Sequence, residues 1–82
     1  MRPAVAPLVP LEFLKTGEKA TICELDGRPE LVHRLEEMGL RPGQVIEMIQ
    51  AGRPCILGMD GHRLSLRLEE TCLVLVEVHA RP

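Results

Sequence analysis

The sequence predicts a mainly β protein, a small and partly open barrel of five short strands with one α-helix between the first and second. Three observations carry that expectation. Short apolar runs recur between Gly/Pro turns, the spacing of a small all-β domain. A single stretch, beginning at Pro29, has helical rather than alternating periodicity. Finally, an 82-residue chain buries only roughly 60–65% of its unfolded surface. A lone hairpin is marginal at that scale, so curling the sheet into a barrel is what stabilises short strands and hides their edges.

Taken in order, residues 1–9 are proline-rich and without periodicity and are read as a flexible arm, leaving residues 10–82 as the barrel domain. Pro10 to Leu14 suits one short helical turn that packs Leu11 and Leu14 onto the barrel, and Gly17 ends it. Glu18 to Leu25 alternates weakly, with Ala20 and Ile22 on one face and Thr21 and Cys23 on the other, and forms the first strand. Asp26-Gly27-Arg28 turns the chain into a helix. Pro29 suits its first position and Glu30 complements its N-terminal dipole. Leu31, Leu35 and Met38 then fall at i, i+4 and i+7 as one apolar stripe.

Gly39 has the place of a left-handed residue just past the helix, which lets Leu40 fold back onto Leu35. Pro42-Gly43 prevents continuation. Gln44 to Gln50, rich in Val45, Ile46, Met48 and Ile49, reads as a largely buried second strand. Asp60-Gly61 between the apolar runs Cys55–Met59 and His62–Leu68 marks a two-residue hairpin. That loop length puts Cys55, Leu57, Met59, His62, Leu64 and Leu66 on one face and Ile56, Arg63, Ser65 and Arg67 on the other. Leu73 to Val78 closes the sheet.

Composition excludes several functions. Apolar residues make up 45% and charged residues 27%, as in folded globular chains. The net charge is −2, and the ten basic residues are scattered, so no basic stripe exists for nucleic acid. Phe13 is the only aromatic residue. Neither the stacking platforms of single-strand binders nor the aromatic walls of Pro-rich peptide grooves can be built, and Leu, Val, Ile and Met must fill the core. Cys23, Cys55 and Cys72 are an odd set without a C-x-x-C spacing, which suits free, buried thiols in a reducing cytoplasm. Pro3, Pro7 and Pro10 interrupt the N-terminal apolar stretch, so neither signal peptide nor membrane span is expected.

Catalysis is not expected. The cysteines lie in apolar strands, the histidines have no motif partners, and no G-x-x-x-x-G-K-[ST] phosphate loop exists. No cofactor and no physiological metal centre is expected either. His33 and Glu37 on the helix, with Asp60 and His62 at the hairpin tip, are surface groups suited only to adventitious metal binding, since they lack the count and spacing of a built site. What remains is binding, with Leu40 and Arg41 at the corner and Leu57, Met59 and His62 toward the hairpin tip as candidate contacts, each of which also has a plain packing role.

The most specific stretch is Arg34-Leu35-Glu36-Glu37-Met38-Gly39-Leu40-Arg41-Pro42-Gly43. It resembles the helix-to-strand corner of the FeoA family, written R-L-x-x-[LM]-G-[LI]-x-P-G. Leu11…Leu14…Gly17, Ala20-Thr21-Ile22, and the run from Pro54 through Leu64-Ser65-Leu66-Arg67 to Leu73–Val78 resemble the family in the same order. Cys72 departs from it, standing where a small residue such as Ala is common, and the arm before Leu8 lies outside the pattern. The resemblance implies an SH3-like barrel and a cytoplasmic accessory protein of FeoB, the membrane ferrous-iron transporter whose cytoplasmic part carries a GTPase domain. Two alternatives stand beside that reading. Related barrels form the C-terminal sensory domains of metal-dependent repressors, although those follow a helix-turn-helix domain that the N-terminus here is not expected to supply. A self-assembling structural module, or a weak homo-oligomer, is the other.

Overall fold

The computed structural model describes residues 8–67 and 74–79. It is mainly β, with six strands rather than five: β1 Leu8–Pro10, β2 Lys19–Leu25, β3 Val45–Gln50, β4 Cys55–Met59, β5 His62–Leu66 and β6 Val74–Val78. One helix, α1, covers Pro29–Glu37 between β2 and β3, and a 3₁₀ turn covers Leu11–Phe13. All six strands belong to one antiparallel sheet in the order β1-β6-β2-β3-β4-β5.

The added strand lies where the sequence suggested the end of a flexible arm. Leu8, Val9 and Pro10 pair with Glu77, Val76 and Leu75. A three-residue strand containing proline has no local signature, and its partner lies some seventy positions away. Residues 1–7 lie outside the described residues, as do Leu68, Cys72 and Leu73.

The core has the aliphatic make-up required by the missing aromatics. Leu11, Ile22, Leu35, Leu40, Ile46, Met48, Leu57, Leu66, Val74 and Val76 are fully buried, joined by Leu14, Ala20 and Cys55. The 3₁₀ turn therefore does place Leu11 and Leu14 in the barrel, while Phe13 points out and stays 66% exposed. On α1 only Leu35 is fully buried, with Leu31 and Met38 half-covered.

Two strands depart from simple alternation because of bulges. In β2 the register shifts between Ile22 and Glu24, so Cys23 is the extra residue. It is half-buried rather than core, and its thiol donates to the Thr21 carbonyl at 3.5 Å. In β3 the shift falls between Met48 and Gln50, making Ile49 the extra residue. The expectation of a largely buried β3 is corrected: Ile46 and Met48 face the core, Val45 and Glu47 are exposed, and Ile49 is half-buried.

The β4–β5 hairpin follows its turn chemistry. Asp60 and Gly61 have φ of 47° and 78°, as a two-residue type I′ turn requires. The resulting register pairs Met59 with His62, Leu57 with Leu64 and Cys55 with Leu66.

Candidate functional site

The corner motif forms first as local structure. Gly39 has φ of 101°, a conformation that costs a residue with Cβ about 1 kcal/mol or more. Its N–H donates to Glu36 O and that of Leu40 to Leu35 O, both at 3.0 Å. These two bonds make a Schellman cap, and Leu40 closes over Leu35 as its apolar partner. The other end of the corner is clamped to β2, where Gly43 N–H donates to Ile22 O at 2.7 Å and Ile22 N–H to Gln44 O at 2.9 Å. The Arg41 side chain turns back so that Nε donates to Glu36 O at 3.2 Å, a cation placed against the negative end of the helix.

This clamp brings the corner beside the hairpin tip. Between them is a surface recess of about 360 Å³, lined in part by Arg41, Gln44, Met59, Asp60, His62 and Arg63. A longer groove of about 670 Å³ continues from the tip over the outside of β3 and β4. Gln44 Nε2 reaches Asp60 Oδ2 at 3.5 Å and ties the corner loosely to the tip. Met59 Cε lies 3.1 Å from the position a Cβ on Gly39 would take, so the methionine forms the floor against the glycine.

Of the five candidate contact residues, Arg41, Met59 and His62 line this recess together. Leu40 and Leu57 do not. Both are fully buried, one as the latch on α1 and the other as the centre of β4, and burial removes them from any contact surface. Gln44, Asp60 and Arg63 complete the wall. Arg63 was assigned only to the opposite sheet face by alternation, and its nearness to the corner is a tertiary fact without a sequence signal.

The metal-ligand candidates stay apart as two pairs. His33 Nδ1 and Glu37 Oε2 are 3.7 Å apart on the solvent face of α1, with side chains 72% and 68% exposed. Asp60 and His62 share the hairpin tip, both exposed. Among the described residues, no three His, Cys, Asp or Glu side chains come together in a manner that could hold a metal ion. Two exposed ligands give weak binding at best.

The two described cysteines differ in burial, Cys55 in the core and Cys23 half-buried. Burial pushes the Cys55 thiol up, partly countered by backbone hydrogen bonding, so its thiolate is scarce at neutral pH. Among the described residues, neither Cys23 nor Cys55 bonds to a His or a carboxylate. No helix among the described residues is long and apolar enough to cross a membrane.

The family model of the FeoA domain matches residues 9–78. The chain belongs to the FeoA family. FeoA proteins form an accessory family related to ferrous-iron transport, and solved structures of two FeoA proteins and of one other protein share the shape of this chain. An iron uptake regulatory protein, FeoA, superposes with a TM-score of 0.84 at 25% identity, over 89% of this chain and 100% of that one. FeoA of Stenotrophomonas maltophilia, a prokaryotic SH3-domain protein solved with zinc, gives 0.75 at 23% identity over 90% and 99%. The IdeR protein of T. acidophilum gives 0.83 at 20% identity, over 96% of this chain but 37% of its own length. The last two likenesses carry the fold, SH3-like, and nothing finer. No curated protein sequence matches the chain.

Proposed function

We propose that this FeoA-family chain is a cytoplasmic accessory protein of bacterial ferrous-iron uptake that docks on the cytoplasmic, GTPase-bearing region of a FeoB-type transporter. It changes the populations of the transporter's states and performs no chemistry of its own. The observation that carries the reading is the family match across residues 9–78. The site supports it: an open recess with an apolar floor at Met59 and polar walls from Arg41, Asp60, His62 and Arg63 suits a protein surface better than a small substrate.

The test has two arms. Deleting the gene lowers ferrous-iron uptake, and the tagged protein co-purifies with the transporter's cytoplasmic region. Normal uptake in a clean deletion strain sinks the reading. The fold shared with T. acidophilum IdeR favours a second reading, a regulatory metal-sensing domain related to the C-terminal part of metal-dependent repressors. That reading requires tight, stoichiometric metal binding by this chain, which the separated His33/Glu37 and Asp60/His62 pairs do not favour.

A further inference from the structure

The outer face of β3, β4 and β5 carries exposed charges, with Lys19 of β2 registered opposite Glu47 at its edge. Register sets Glu47 opposite Gly58 and Gly58 opposite Arg63. The three residues form one row across three strands, with the glycine at its centre. Strands lie about 4.8 Å apart, so Glu47 and Arg63 stand roughly 9–10 Å from each other, on opposite sides of Gly58 and beyond direct pairing. Both are exposed. Among the described residues the ion pair found is His33–Glu37, which involves neither.

Between these charges the surface is apolar. Ile56 is the next outward residue of β4, half-buried and outside the core cluster. Ile49, the extra residue of the β3 bulge, fills the space over Gly58, where an added Cβ would come 2.8 Å from Ile49 Cδ1. The patch therefore has an isoleucine centre, a carboxylate on one flank and a guanidinium on the other, and Glu47, Ile49, Gly58 and Arg63 all line the 670 Å³ groove.

That layout is complementary to itself. A twofold axis along β4, in the plane between two facing sheets, carries Gly58 onto Gly58 and Ile56 onto Ile56 of a second copy. The same rotation brings Glu47 of each copy over Arg63 of the other, twice. The isoleucines meet at the centre, where Ile49 covers Gly58, and the long flanking side chains lie to either side of them. An apolar centre with a charged rim is the usual anatomy of an interface, and self-complementarity is what an isologous contact demands. A partner of uniform charge meets one attractive and one repulsive flank instead. We propose that this face is a homodimer interface, with two copies of the chain packed β4 over β4 about a twofold axis and Glu47 of each paired with Arg63 of the other. The inference does not rest on transporter docking, although Arg63 lines both the recess and this face.

Sedimentation velocity over a concentration series tests it. The unmodified protein is expected to form a reversible dimer and nothing larger, because an isologous face closes on itself. Glu47→Arg and Arg63→Glu each turn two symmetry-related attractions into repulsions, so each weakens the dimer by about tenfold or more. The double variant Glu47→Arg/Arg63→Glu re-forms both pairs with exchanged signs and recovers the dimer to within about threefold. Arg63→Glu changes an exposed position and should melt near the parent, while the two variants with Glu47→Arg set an arginine opposite Lys19 and should melt slightly lower, which is checked alongside. A parent monomeric at every concentration, single variants that dimerise as the parent does, or a double variant that stays monomeric would each overturn the proposal.

Discussion

Replacing Gly39 by alanine perturbs the corner in two separable ways. With φ at 101° the glycine occupies backbone space that L side chains rarely adopt. Strain there amounts to about 1–2 kcal/mol. The new Cβ would also stand 3.1 Å from Met59 Cε. That contact is tighter than normal, but it meets the far end of an unbranched side chain that can shift. Gly17 is the internal control, since its φ is 95° and an added Cβ meets nothing within 4 Å. Gly17→Ala thus reads the backbone strain alone, about 1 kcal/mol, while Gly39→Ala reads strain plus displacement of Met59, about 1–2 kcal/mol. For a domain of this size each kcal/mol lowers the melting temperature by roughly 4–8 °C. Thermal unfolding followed by circular dichroism resolves both shifts. A Gly39→Ala protein that melts with the parent, or a Gly17→Ala protein that melts below the Gly39→Ala protein, would refute the Schellman-cap argument.

Other variants probe the core, the thiols and iron binding. Leu40→Ala removes a fully buried latch and should cost about 2–5 kcal/mol in denaturant unfolding, a large part of a small domain's stability. At neutral pH a thiol reagent should modify Cys23 and spare Cys55 until the protein unfolds, with peptide mapping assigning the sites. Because burial raises the Cys55 thiol in the folded state, its contribution to stability is complete below the unfolded thiol value of about 8.5. That contribution is lost as pH rises through the higher folded value, so unfolding midpoints should fall at alkaline pH and Cys55→Val should flatten that fall. Anaerobic titration with ferrous iron should show no tight stoichiometric site, and tight binding abolished by His33→Ala or His62→Ala would replace the accessory reading with a carrier.

The sequence was most readable where a residue's chemistry has a local cause. Pro29 at the helix start, Gly39 at its cap and Asp60-Gly61 at the hairpin all form as their types require, because each acts within a few residues of itself. β1 was not readable, since Leu8–Pro10 is strand only by virtue of β6. The weak alternation in β2 and the unbroken apolar look of β3 had one physical source, a bulged residue in each strand that resets the face. A bulge leaves no mark in composition, so Cys23 and Ile49 were assigned to the wrong environment. The recess was half readable. Arg41, Met59 and His62 do converge, but Leu40 and Leu57 are consumed by packing, and only tertiary structure brings Arg63 and Gln44 to them.

The contrast between corner and hairpin tip bears on where work is done. The ten residues from Arg34 to Gly43 are the most family-specific in the chain, and nearly every group in them already has a structural task. Leu35 and Leu40 are in the core, the Gly39 and Leu40 amides are bonded to α1, Gly43 is bonded to β2, and even the exposed Arg41 caps a helix carbonyl. A segment so fully used for folding has little left to offer a partner. The hairpin tip is the reverse. Its type I′ turn fixes Asp60 and Gly61 by their positive φ and leaves His62 in solvent, so the His62 side chain can change without loss of the fold. The corner is thus used largely for folding, whereas His62 and Arg63 beside it stay exposed at the tip.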